Sequence, residues 1–306
     1  MMMPDPSRIA RGLYWSKSWR VVNGCTRVSP GCAHCWSEAE TNMRGSNPAV
    51  AYRYAKDKVL ADGRWNGRVM LAPERVLTEP LRTKKPQVWA IWSDLFHEGI
   101  SCRQVDRVLE VIEDCPQHTF LALTKRPENI QRKLYATNEG CPVRVLGGGD
   151  YLNNLWLGVT AENQDMADLR IPALLQIPAA LHFVSAEPML GPLNLEKYLS
   201  RYIQPIPTAT MYPPLSWVIC GQENGPGARQ MHPDWARSLR DQCQTKGVPF
   251  FFKQWGEFIH TSQMPDWLYR EFDACHPGES GFCRVGKKSA GCLLDGKEWK
   301  QFPEVK

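Results

Sequence analysis

Leu155-Trp156-Leu157-Gly158-Val159, then Thr160-Ala161-Glu162-Asn163 and a helical pattern over Gln164–Gln176, is the stretch that decides the fold. Its first five residues are a near-continuous apolar run rather than an alternating one, the mark of a parallel strand covered on both faces. Polar residues collect where the strand gives way to the helix. The same unit recurs along the chain: apolar runs at Val69–Ala72, Val88–Trp92, Thr119–Leu123, Leu181–Ser185, Trp217–Cys220 and Val248–Lys253, with a weaker one at Trp19–Val22. Helical patterns fall between them at Ser101–Asp114, Pro127–Tyr135 and Asp234–Lys246. Strands alternating with helices predict an α/β protein built as a complete or partial (β/α)-barrel, with an open doubly wound sheet as the alternative.

The polar residues after each run are the next signal. Ser93, Asp94, His97 and Glu98 follow one strand, and Thr124, Lys125 and Arg126 the next. Thr160, Glu162 and Asn163, then Ser185 and Glu187, then Gly221, Gln222, Glu223 and Asn224, then Lys253 and Gln254 close the others. In parallel α/β folds the loops after the carboxyl ends of the strands build the site, so these groups are expected to converge on one pocket. Any one of them alone also reads as a helix cap or a loop residue. The tryptophans near these edges, Trp89, Trp92, Trp156, Trp217 and Trp255, read first as core and second as stacking surfaces.

Residues 1–256 are expected to form a single barrel-like domain, with a cysteine loop at 25–35 and a Pro-rich excursion at 197–215; residues 257–306 read as an appended lid or tail. Of the 306 residues, 43% are hydrophobic and 23% charged, a globular balance, and the net charge of +5 permits an anionic ligand without demanding one. Met1–Arg20 lacks the apolar core of a signal peptide, and no run approaches the roughly 18–20 apolar residues of a membrane span, so a cytoplasmic protein with no membrane partner is expected. In a reducing compartment the isolated cysteines Cys102, Cys115, Cys141, Cys220 and Cys243 read as buried thiols.

Clustered cysteines read differently. Cys25, Cys32 and Cys35 lie in Gly24-Cys-Thr-Arg-Val-Ser-Pro-Gly-Cys-Ala-His-Cys35. The spacing of Cys32 and Cys35 lets one loop aim two thiolates at one group, and Cys25 folds back across Pro30-Gly31 as a third. Three readings stand: an iron–sulfur cluster with one iron left open, a zinc site closed by His34 or by a distant Cys275, His276 or Cys283, and simple burial. The run Gly221-Gln-Glu-Asn-Gly-Pro-Gly-Ala-Arg229 lacks the spacing of a phosphate cradle; it reads as a turn aiming Glu223 at a bound amine, or as a flexible loop.

The cysteine motif, together with Ser93-Asp-Leu-Phe-His97, Leu123-Thr-Lys-Arg-Pro127, Leu157-Gly-Val-Thr-Ala-Glu-Asn163, Phe183-Val-Ser-Ala-Glu-Pro188 and Pro249-Phe-Phe-Phe-Lys-Gln-Trp-Gly256, resembles a bacteriophage-associated family of the "gp thirty-seven/sixty-eight" type. That family in turn is similar to divergent radical S-adenosylmethionine enzymes. The resemblance implies a [4Fe–4S] cluster on Cys25, Cys32 and Cys35, with S-adenosylmethionine bound at its open iron. An external electron donor and a location in a bacterial host or phage-infected cell follow with it. It implies cofactor contacts from Gly221 and Glu223, with Glu162, Asn163 and Glu187 as alternatives. The cysteine spacing, six residues then two, departs from the superfamily's three then two. The resemblance does not fix the substrate; a nucleic-acid base or nucleotide is the class considered, with Asp94, Lys125, Arg126, Arg229 and Lys253 as candidate substrate or phosphate contacts. The alternative is a non-catalytic zinc- or cluster-binding protein that engages nucleic acid or a partner protein.

Overall fold

The structure, a computed structural model, describes residues 4–135, 151–199, 214–271 and 280–304. Seven strands form one sheet: β1 (Lys17–Trp19), β2 (Val88–Ile91), β3 (Thr119–Thr124), β4 (Leu155–Thr160), β5 (Leu181–Ala186), β6 (Leu215–Gly221) and β7 (Phe250–Gln254). Every neighbouring pair is parallel, and spatial order equals chain order. Each crossover therefore lays the next strand beside the last in one direction. A doubly wound sheet needs a point where that direction reverses, and this sheet has none. The mixed α/β architecture is a curled half barrel flanked by helices, compatible with a partial (β/α)-barrel.

One expected strand lies elsewhere. Met70–Leu71, from the apolar run at Val69–Ala72, pairs antiparallel with Val22–Asn23 in a separate two-stranded ribbon. The weak run at Trp19–Val22 is divided: Trp19 ends β1, and Val22 begins the ribbon that leads into the cysteine loop.

α1 (Trp36–Arg44), which the sequence patterning did not single out, directly follows the cysteine loop. Four further helices form where the periodicity places them. α2 (Cys102–Glu113) opens with a reciprocal capping box between Ser101 and Gln104. α3 (Pro127–Tyr135) follows β3, and α4 (Gln164–Leu174) is capped by Asn163, whose side-chain oxygen accepts the Met166 amide at 3.0 Å. α5 (Pro233–Lys246) ends at Gly247, whose φ of +66° terminates the helix in the left-handed region.

Alternate strand residues serve two separate cores. Phe120, Ala122, Leu157, Val184, Val218 and Phe252 pack outward with helix residues such as Val105, Ile112, Ile171 and Leu239. Leu121, Trp156, Phe183, Trp217 and Phe251 fill the other face together with Tyr14. Trp217 sits at the centre of that inner set, its ring 5.5 Å from Tyr14, 6.0 Å from Phe183 and 6.2 Å from Phe251. Gly158 is glycine because of this filling: a Cβ there would lie 2.4 Å from the Phe183 ring. Trp89, Trp156, Trp217 and Trp255 are fully buried, whereas Trp92 is half-buried at the strand end.

Residues 299–301 run antiparallel along the outer edge of β7. The Phe252 amide donates to the Trp299 carbonyl at 2.8 Å and the Gln301 amide to the Phe250 carbonyl at 3.1 Å. Of the isolated cysteines, Cys115, Cys220 and Cys243 are buried free thiols. Cys102 is instead half-buried and disulfide-bonded. Cys141, Cys275, His276 and most of the Pro-rich excursion lie outside the described residues. No helix among the described residues is long and apolar enough to cross a membrane.

Candidate functional site

The carboxyl ends of β2, β3, β4 and β6 each hold the cysteine loop. After β2, the buried Asp94 accepts the Thr124 hydroxyl at 2.6 Å, the Phe96 amide at 3.1 Å and Arg126 Nη1 at 2.9 Å. After β3, the buried Arg126 uses its remaining nitrogens on the loop and its rim. Nη2 donates to the Thr26 carbonyl at 3.1 Å and hydroxyl at 2.6 Å, and Nε pairs with Glu98 at 2.7 Å. Nη1 also lies 3.9 Å from the Cys25 sulfur. His97 completes this group. Its Nδ1 accepts the Gly99 amide at 3.0 Å, so Nε2 carries the proton and donates to the Thr26 hydroxyl at 2.9 Å, leaving that hydroxyl free to donate to Glu98. Burial, then the Arg126 charge, keeps His97 below the ordinary imidazole value, in keeping with a neutral ring.

After β4, Glu162 is fully buried. It accepts the Gly31 amide at 3.0 Å and pairs with Arg170 at 2.8 Å. Burial alone would raise its pKa, but hydrogen bonding from Ser29 and the Arg170 and Lys125 charges hold it below the usual carboxylate range. Gly31 is required by this close approach, since a Cβ would sit 2.9 Å from the Glu162 carboxyl carbon. After β6, Glu223 is enclosed by Arg229, which donates from its backbone amide at 3.0 Å, from Nε at 2.9 Å and from Nη2 at 2.7 Å. His34 Nδ1 lies 3.0 Å from the same carboxylate, and Arg229 also reaches the Pro30 carbonyl at 3.0 Å.

These contacts fix what the sequence-predicted residues do. Asp94, Arg126, Glu162, Glu223 and Arg229 converge on the cysteine loop, but as its fastenings: their charged atoms are already engaged. Asn163 caps α4. Lys125 is half-buried, and its charge acts on both Cys32 and Glu162. Gly221, Glu187 and Lys253 form a second group, on β6, just beyond β5, and on β7. Glu187 pairs with Lys253 at 2.6 Å and accepts the Ser185 hydroxyl at 3.1 Å and the Tyr14 hydroxyl at 3.3 Å. A Cβ at Gly221 would meet Glu187 at 3.2 Å, so glycine leaves room for the pair. Burial first, and the Glu187 carboxylate second, push the Tyr14 phenol well above its ordinary pKa.

Cys25, Cys32 and Cys35 are all half-buried free thiols. Burial, followed by the Asp94 carboxylate, pushes the Cys25 thiol up to about 11, with the Arg126 charge opposing. Burial acts the same way on Cys32, but Lys125 and hydrogen bonds from the Val28 and Ser29 backbone outweigh it and lower the thiol. Among the described residues no three His, Cys, Asp or Glu side chains converge on a single-ion position.

Sequence reasoning missed Tyr14 and Asn23 here, and did not foresee the conformation of Ser93. Tyr14 precedes β1 in no motif. Asn23, one residue before Gly24-Cys25, is buried with both side-chain polar atoms lacking a protein partner. Ser93, next to Asp94, holds a left-handed φ of +66° without being glycine, and its buried hydroxyl has no protein partner. Unpartnered buried polar atoms and backbone strain beside one loop are features of ligand-binding sites.

Fold and site together define the class: a singly wound parallel α/β protein whose thiol-bearing loop is fastened across the carboxyl ends of its strands. The chain belongs to the family described as "Protein of unknown function (DUF5131)", whose model matches residues 11–303. No curated protein and no solved structure matches it.

Proposed function

We propose that this chain is an iron–sulfur enzyme of the radical S-adenosylmethionine type, with Cys25, Cys32 and Cys35 holding a [4Fe–4S] cluster. The observation that carries the reading is the seating of the cysteine loop. Three half-buried free thiols lie on one loop, tied by Asp94–Arg126, Glu162 and Glu223–Arg229 to the strand ends where α/β proteins do chemistry. The donor set fits the group. Thiolates are the ligands of iron–sulfur clusters, and cationic Arg126 and Lys125 stand beside Cys25 and Cys32 to offset their negative charge. A cubane presents separate irons to its thiolates, so it does not require them to meet at one point, as a mononuclear zinc ion does.

When bound, the cluster supplies one electron from an external donor to S-adenosylmethionine. The chain's own residues do the rest. Arg126, Glu162 and Arg229 hold the loop in place, and Asp94, Glu162 and Glu223 stay buried beneath it. Glu187 and Lys253 offer adjacent opposite charges. Such a pair complements the ammonium and carboxylate of an amino-acid ligand, and the proposal assigns them to that end of the cofactor. The apolar inner core beneath them excludes water from the strand ends.

Anaerobic reconstitution with iron and sulfide tests the reading. Roughly four irons per chain, and a broad visible absorption lost when Cys25, Cys32 or Cys35 is replaced by alanine, are expected. Stoichiometric zinc with no such absorption overturns it in favour of a structural metal site. With the cluster in place and reduced, S-adenosylmethionine is expected to yield 5′-deoxyadenosine; persistent absence of that product refutes the enzymatic half.

A further inference from the structure

Beside the cysteine loop stands a column of rings and cations that the reading above does not use. The guanidinium of buried Arg20 lies between two aromatic rings, 4.5 Å from the centroid of Tyr54 and 5.5 Å from that of Trp92. Trp92 in turn meets Trp36 edge-on, with centroids 4.7 Å apart. Trp36 is the residue after Cys35 and opens α1, yet the residue is 53% exposed. The column thus runs from the core outward and ends on an indole half in water.

The surrounding charge is unbalanced. Arg27 and Arg64 share the single carboxylate of Glu38, at 3.0 and 3.2 Å, and Arg20 and Arg44 share that of Glu40, at 3.0 and 3.1 Å. Four guanidiniums on two carboxylates of α1, the helix that Trp36 opens, leave an excess of two positive charges in these pairings. Arg27, Arg44 and Arg64 keep 45%, 56% and 66% of their side chains exposed, so each presents donors to an incoming anion.

An exposed indole backed by a stack of rings, at the start of a helix whose carboxylates carry surplus arginines, fits a ligand that is planar at one end and anionic at the other. A nucleotide with its base unstacked has that chemistry; a duplex keeps its bases inside. We infer that Trp36 is a stacking platform for an unpaired base of single-stranded nucleic acid, with Arg27, Arg44 and Arg64 meeting the flanking phosphates. Binding there needs no cluster. That the bound strand is also the substrate rests on the functional reading above, since Trp36 would hold a base next to Cys35.

Fluorescence anisotropy with a labelled single-stranded oligonucleotide, and with its duplex, tests the inference on the chain both before and after reconstitution. The single strand is expected to bind more tightly than the duplex, with affinity falling as salt rises. Trp36→Ala is expected to weaken single-strand binding roughly tenfold or more. Arg64→Ala is expected to weaken it less and to reduce the salt dependence. Trp267→Ala removes an indole that is 57% exposed elsewhere, and is expected to change nothing. Circular dichroism and thermal unfolding check that each variant is folded. Equal affinity of the parent and Trp36→Ala chains overturns the inference, as does duplex binding as tight as single-strand binding. A free nucleoside monophosphate that competes as well as the oligonucleotide overturns the assignment to a strand. Because binding is read without the cluster, its failure is distinguishable from failure of the cluster reading.

Discussion

Replacing Arg126 with methionine should unfasten the cysteine loop and leave Asp94 buried without its counter-charge. The Arg126 and Asp94 side chains are 4% and 8% exposed, so the pair is a buried one. Removing one partner of such a pair costs about 3–5 kcal/mol. Asp94 retains the Thr124 hydroxyl at 2.6 Å and the Phe96 amide at 3.1 Å, which places the loss near the lower end. Glu98 is 52% exposed, so its share adds less than about 1 kcal/mol. The total is about 3–4 kcal/mol, read as a lower urea midpoint at unchanged slope. A cycle with Asp94→Asn isolates the pair: Arg126→Met should cost about 2 kcal/mol less when Asp94 is already neutral. The same substitution frees the Thr26 carbonyl and hydroxyl, so amide hydrogen exchange over residues 25–28 should quicken in the metal-free chain. Losses that add within about 0.5 kcal/mol, together with unchanged exchange over those residues, refute the view that Arg126 is the loop's principal fastening.

Gly31→Ala places a methyl 2.9 Å from the Glu162 carboxyl, and such overpacking costs about 1–3 kcal/mol. Limited proteolysis at residues 25–35 should quicken in step; an unchanged cleavage rate argues that the loop is held without Glu162. Glu223 is held below its unfolded value of 4.5: burial raises it, but hydrogen bonds from Arg229 and His34 outweigh that. A depressed carboxylate contributes stability that is present above the unfolded value and lost as pH falls through the folded one. Glu223→Gln should therefore flatten the decline in urea midpoint below pH 4.5, and a variant with the parent's acid limb rules out the linkage.

Much of the scaffold was legible because its signals are local. The run at Leu155–Val159 and the cap at Asn163 state a strand and a helix start within a few residues. Val69–Ala72 shows where such reading ends. A short apolar run has the same pattern in a central parallel strand as in a two-residue ribbon, and only its partner, Val22–Asn23, distinguishes them. The site divides the same way. Polar strand ends announced that Asp94, Arg126, Glu162 and Glu223 would gather, but not that Asp94 would pair with Arg126, Glu162 with Arg170 and Glu223 with Arg229. Glu223 read as facing a ligand amine because nothing local shows that Arg229 folds back around it from the same loop. Tyr14 and Asn23 carry no motif at all. Their environments are made by residues distant in the chain, such as Glu187 for Tyr14.

The strip at residues 299–301 has a consequence for how the chain behaves in a crowded solution. A sheet that does not close on itself keeps two bare margins, and an uncovered margin recruits strands from other copies. Here the β1 margin is only three residues long, too short to template much pairing. The β7 margin, made of Phe250-Phe-Phe with high β-propensity, is the hazardous one, and Trp299 to Gln301 occupy its hydrogen-bonding groups. The C-terminal residues thus work as a selvedge, keeping an unclosed barrel from fraying into its neighbours.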